Sequence, residues 1–189
     1  MIKFDAENHK YYLGQKVIPS VTGIMQATKV CPEYFDNYFA ERGTRIHSAI
    51  SAYSKGEFYE LSSLDAGFLS AWIIWAQDKK IIDSEKIVFH PEFLYCGTID
   101  YCREENGKRI IGDYKTGNPD KSHIIQLGGY CLAYQQEFGG EIQAEVIYLK
   151  QDGSFSVEII DWESGAEIFK ACLIIYNYRK NRNGRNGNS

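Results

Sequence analysis

The sequence predicts an α/β protein with one central mixed sheet flanked by helices, and three observations lead there. The chain has 189 residues, 44% hydrophobic and 24% charged, enough for one domain with a sizeable core. Residues 81–89, 94–102 and 109–114 read as three consecutive strands, while residues 64–79 before them and 122–138 after them are apolar at helical spacing. A strand run at 144–149 then completes the order αβββαβ, for which a sheet covered on both faces is the usual solution.

Taken in chain order, residues 2–5 and 10–13 alternate about Glu7-Asn8 and predict a small hairpin. Pro19-Ser20 precedes a short helix over 21–27, with Ser20 as its N-cap. A longer helix over 32–53 has Pro32 in its first turn, where a missing amide hydrogen costs nothing, and Phe35, Phe39, Ile46 and Ile50 among its apolar members. In the helix over 64–79, Phe68, Ala71, Trp72 and Trp75 form a stripe that belongs to the core. Glu104-Glu105-Asn106-Gly107 turns the second strand into the third, and Gly139-Gly140 stops the helix over 122–138. Strands over 144–149 and 155–160 join at Asp152-Gly153, and an amphipathic helix over 162–178 closes the domain. Residues 1–178 are therefore expected to be a single domain and 179–189 a basic, disordered tail.

Charge narrows the chemistry. The net charge is −4, but the last eleven residues carry Arg179, Lys180, Arg182 and Arg185 and no acid, so residues 1–178 hold 17 basic against 25 acidic side chains. An acidic body binds an anion only where something local reverses its sign, and a divalent metal does so. The five cysteines are scattered without a Cys-x-x-Cys pair, which excludes zinc-site spacing. The start lacks a signal-peptide core, and the apolar stretch near 71–76 is far shorter than the roughly 20 residues of a membrane span. A cytoplasmic protein with free thiols and no membrane association is expected.

The most informative segment is Ile111-Gly112-Asp113-Tyr114-Lys115-Thr116-Gly117. Side chains alternate in a strand, so Asp113 and Lys115 share a face at its end. A carboxylate there can hold a divalent cation, and an ammonium can orient water or stabilise negative charge; a simple ion pair is the plainer reading of the tripeptide alone. Thr98 and Asp100 share a face of the preceding strand, and the turn near Asn106-Gly107 can bring Asp100 close to Asp113. Two converging carboxylates repel each other unless a metal joins them. His47 on the long helix is a further ligand type, and Gln126 and Tyr130 lie one turn apart on the helix after Lys115.

In order, Gly43-Thr44-x-x-His47, Gly97-Thr98-Ile99-Asp100, Ile111-Gly112-Asp113-Tyr114-Lys115-Thr116-Gly117 and Gln126-x-x-x-Tyr130 resemble the PD-(D/E)XK nuclease superfamily, in particular its RecB-type branch with phage-type exonucleases. Ile18-Pro19-Ser20-Val21-Thr22 is similar to the opening of phage members, so the resemblance reaches to residue 149. It implies a restriction-endonuclease-like core and a Mg2+- or Mn2+-dependent nuclease that hydrolyses DNA phosphodiester bonds, most readily an exonuclease for end processing or recombination. His47, Asp100 and Asp113, with the Tyr114 carbonyl oxygen, would be metal ligands; Asp100, Asp113 and Lys115 would be catalytic. Gln126, Tyr130, Thr44 and Arg45 would support the site or contact substrate. Arg42, Arg45, Lys121 and the basic tail are candidate phosphate contacts. Ile99 stands where the signature's name has proline. Glu85 and Glu92 are alternative sources of an extra upstream acid, and solvated surface positions are the plainer reading of both. Some RecB-type nucleases hold an iron–sulfur cluster with three cysteines clustered after the core; Cys172 stands alone there, so no cluster is expected. DNA is the implied partner, and a homo-oligomer or a recombination partner protein is compatible with the resemblance. The rival readings are a DNA-binding module of the same fold without catalysis, and a hydrolase of RNA or small phosphoesters.

Overall fold

The computed structural model describes residues 2–6, 8–31 and 37–186. A small antiparallel sheet comes first: β1 (Ile2–Asp5), β2 (Lys10–Leu13) and β3 (Lys16–Ile18), in that order. The third strand is an addition to the expected hairpin, and its Ile18 is buried beside Tyr11 and Cys96. Helix α1 (Val21–Thr28) starts as expected, with Ser20 Oγ accepting from the Gly23 N–H at 2.9 Å. Helix α2 (Asn37–Ser54) follows; its expected first turn with Pro32 and Phe35 lies outside the described residues. Helix α3 (Ser63–Ala76) is capped by Ser62, and its Phe68, Ala71, Trp72 and Trp75 are all buried.

The main sheet is mixed, with five strands in chain order: β4 (Lys80–His90), β5 (Tyr95–Glu105), β6 (Lys108–Lys115), β7 (Ile142–Leu149) and β8 (Phe155–Ile160). Asn106 and Gly107 both take positive φ, 51° and 79°, in the tight turn between β5 and β6. Helix α4 (Ser122–Phe138) carries the chain from β6 to β7, which pair in parallel, whereas every other neighbouring pair is antiparallel. Helix α5 (Trp162–Asn186) runs past the expected end at residue 178, so the basic residues 179–186 continue a helix rather than form a separate tail. Lysine and arginine are good helix formers, and Arg179 ties the extension to α1 by donating to the Ala27 carbonyl at 2.5 Å.

The sheet separates two side-chain clusters. Helices α1, α4 and α5 pack Ile24, Leu127, Tyr130 and Phe169 against Ile99 and Ile111 on one side. Helices α2 and α3 pack Ile46, Ile50, Trp72 and Trp75 against Tyr101, Tyr114 and Ile147 on the other. Phe39, expected among the apolar members of this helix, is instead 49% exposed.

Candidate active site

Two strand ladders give way at the same place. Between β4 and β5 the pairs Ser84↔Tyr101 and Lys86↔Ile99 leave Glu85 and Asp100 facing each other without pairing. Glu85 has φ +50° there, a left-handed conformation that a glutamate adopts only against strain. Between β5 and β6 the ladder runs from Glu105↔Lys108 to Tyr101↔Gly112 and stops, so the next positions, Asp100 and Asp113, sit where the strands part. β6 continues beside β7, with Asp113↔Val146 and Lys115↔Tyr148.

Glycines let neighbouring strands and helices close on this point. A side chain at Gly112 would overlap the Tyr101 ring, which crosses β6 so that its hydroxyl donates to Glu145 Oε1 at 2.8 Å. Glu145 also holds Arg103 in a buried fork, at 2.7 Å to Nε and 2.8 Å to Nη2. This network braces β5 to β7 and has no signature in the local sequence. A side chain at Gly97 would overlap the Tyr130 ring of α4.

At the splayed end, donor atoms of His47, Glu85 and Asp100 lie within 4.8 Å of one another. His47 Nδ1 is 3.5 Å from Asp100 Oδ1 and 3.9 Å from Glu85 Oε1. Tyr114 braces all three: its N–H donates to Asp100 Oδ2 at 3.0 Å, its hydroxyl donates to Glu85 Oε1 at 3.3 Å, and its ring lies 4.4 Å from that of His47. Glu85 is thus the upstream acid at the site, while Glu92 is exposed in the turn that follows β4. Nothing in the local sequence separates the two; the difference is the backbone conformation at residue 85.

Asp113 and Lys115 sit beside this group. Lys115 Nζ lies 2.6 Å from Asp113 Oδ2, though outside hydrogen-bond alignment, which leaves that buried oxygen without an aligned donor among the described residues. Lys115 also donates to Gln126 Oε1 at 3.0 Å, and Gln126 Nε2 donates to the Tyr130 hydroxyl at 3.0 Å. Gly97, Tyr130, Gln126 and Lys115 therefore form one line of contacts running from the sheet to the site. Two residues expected near the substrate point elsewhere. Thr44 Oγ1 donates to the Ala40 carbonyl within its own helix, and Arg45 Nε donates to buried Asp65 at 2.9 Å, joining α2 to α3.

The electrostatics favour a cation. Burial first, then the charges of Asp113 and Glu85, hold the Asp100 carboxyl well above its ordinary range, against the opposing pull of Lys115 and the Tyr114 N–H. Burial also raises Glu85, although 40% of its side chain meets solvent. His47 is pushed down to about 4, chiefly by burial, even though 34% of its side chain is exposed. A neutral imidazole with two carboxylates is a donor set that suits magnesium or manganese. Donors sharing such an ion lie about 3–4.4 Å apart, a range that includes both His47 separations.

No protein-family model matches the sequence, and no curated protein matches it. No helix among the described residues is long and apolar enough to cross a membrane. In backbone trace the chain is similar to a candidate exonuclease from Eubacterium rectale, at TM-score 0.49 and 13% identity over 82% of this chain and 73% of that one. It is also similar to an alkaline exonuclease from Laribacter hongkongensis, at TM-score 0.41 and 14% identity over 88% of this chain and 93% of that one.

Proposed function

We propose that this chain is a divalent-metal-dependent deoxyribonuclease that hydrolyses phosphodiester bonds at DNA ends. The observation that carries the reading is the meeting of His47, Glu85 and Asp100 from three separate elements beside the Asp113–Lys115 pair. Those three side chains, with Asp113 and the Tyr114 carbonyl, are the groups that would hold Mg2+ or Mn2+. When bound, such an ion neutralises phosphate charge and lowers the pKa of a bound water.

The chain's own residues then have separable tasks. His47 supplies a neutral nitrogen at pH 7, because burial keeps it from taking a proton. Tyr114 fixes Asp100 and Glu85 from one position between them. Lys115 presents an ammonium to the attacking water and to the charge that builds on phosphate oxygens, and Gln126 fixes where that ammonium sits. Asp113 holds its carboxylate 2.6 Å from that ammonium.

Labelled linear DNA tests the reading, with wild type, Asp113→Ala and Lys115→Ala compared in Mn2+ and in EDTA. Metal-dependent product from wild type alone supports it, and equal product in every sample overturns it. End-blocked and circular DNA, run beside the linear substrate, reads the requirement for an end.

A further inference from the structure

Helix α5 is apolar on two opposite sides. Between residues 165 and 178 its only charged side chains are Glu167 and Lys170. Ala166, Phe169, Cys172 and Leu173 turn inward, buried in the cluster that α5 shares with α4 and α1. At 3.6 residues per turn the opposite side carries Ile168, Ala171, Ile174, Ile175 and Tyr178. Ile174 and Tyr178 are 71% and 63% exposed, and Ile168 and Ile175 are half-exposed. A helix with solvent on one side carries polar residues there, whereas one that is apolar all round is covered on both. Positions 168, 171, 175 and 178 recur at intervals of three, four and three, the spacing of a seam between two packed helices.

Charge at the two ends of this stripe says what covers it. Glu167 stands at the start, and Arg182 stands one turn past Tyr178, its guanidinium carbon 5.9 Å from that ring's centroid. Glu167 also meets Lys170 of its own helix at 2.7 Å, but 73% of its side chain lies in solvent. Two copies of α5 packed parallel would set Glu167 against Glu167 and Arg182 against Arg182. Packed antiparallel about a two-fold axis level with Leu173, the stripe is its own complement. Ile168 then meets Tyr178 of the second copy, Ala171 meets Ile175 of the second copy, and Glu167 reaches the second copy's basic end. The 25 residues of α5 give a contact line about 37 Å long at about 1.5 Å per residue.

We propose that α5 is a dimerisation surface, its outer stripe packed antiparallel on the same stripe of a second copy of this chain. The proposal uses no residue of the candidate active site and stands apart from the nuclease reading.

Sedimentation velocity on the full chain, across a concentration series, tests it. The expected result is a reversible monomer–dimer equilibrium with a Kd on the order of 10 μM, as suits an interface at the small end of the usual range. Ile174→Glu puts a charge into the apolar seam and should weaken association by about 100-fold or more. Thermal unfolding of the dilute monomer checks that this variant is folded, and Tyr178→Glu takes its place if it is not. Glu167→Arg should weaken the dimer about tenfold, and adding Arg182→Glu should restore it, since the swapped charges face each other again. A chain that stays monomeric throughout, a trimer or larger ring, or a dimer indifferent to Ile174→Glu overturns the proposal. A dimer that tolerates Glu167→Arg and gains nothing from the second change overturns the antiparallel packing.

Discussion

Asp100 of β5 accepts a 3.0 Å hydrogen bond from the backbone nitrogen of Tyr114, so the first acid of the site is anchored on the strand that carries the second. Asp100→Asn preserves that acceptor and removes a buried negative charge held among Asp113 and Glu85. In EDTA the variant should be more stable than wild type by about 1–2 kcal/mol, read as a rise of a few degrees in Tm. DNA hydrolysis in Mn2+ should fall by about 100-fold or more, because the metal loses a charged ligand. A variant that is both less stable and fully active would contradict the assignment.

Lys115 depends on a line of contacts that begins in the sheet. Gln126→Ala should leave the fold intact and lower kcat about tenfold with little change in KM, since the lysine loses the partner that places it. Gly97→Ala displaces the Tyr130 ring and should cost about 1–3 kcal/mol by overpacking, together with the same kcat defect. Urea unfolding and steady-state kinetics separate the two effects.

Strand alternation alone places Asp113 and Lys115 together, and the Ser20 cap, the aromatic stripe of α3 and the turn at Asn106-Gly107 are equally local signals. Other features depend on distant partners. Glu85 and Glu92 are equivalent in sequence, and only the left-handed backbone opposite Asp100 brings the first into the site. Arg45 looks like a phosphate contact until Asp65, twenty positions on, is seen to occupy it. The Arg103–Glu145 fork depends on the parallel register of β6 with β7, which no run of neighbouring residues encodes.

That fork supplies a stability test. Glu145→Gln leaves the buried Arg103 only the half-exposed Glu105 carboxylate, 3.3 Å from its Nη1, and removes a charged acceptor from Tyr101. The loss should be about 2–3 kcal/mol, visible as a lower urea midpoint at unchanged m-value. Replacing both partners with apolar side chains should recover much of it.

His47 makes stability depend on pH. Unfolded, its imidazole takes a proton as pH falls through about 6.5; folded, it does so only near 4. The unfolded state therefore binds more protons across that window, so stability is complete above it and declines as pH drops from 7 toward 4. With a third of the ring exposed to screening solvent, about 1 kcal/mol is expected at pH 5. His47→Gln should flatten that part of the stability profile, measured by urea unfolding between pH 7 and 5 in EDTA.

The sheet keeps its two clusters from touching, and this shapes how the chain tolerates change. A loss at Ile46 of α2 and a loss at Phe169 of α5 fall in different clusters. Their costs should simply add. Drift in the helices behind Lys115 can therefore proceed without forcing compensation around Trp72, and each half of the interior is free to vary on its own terms.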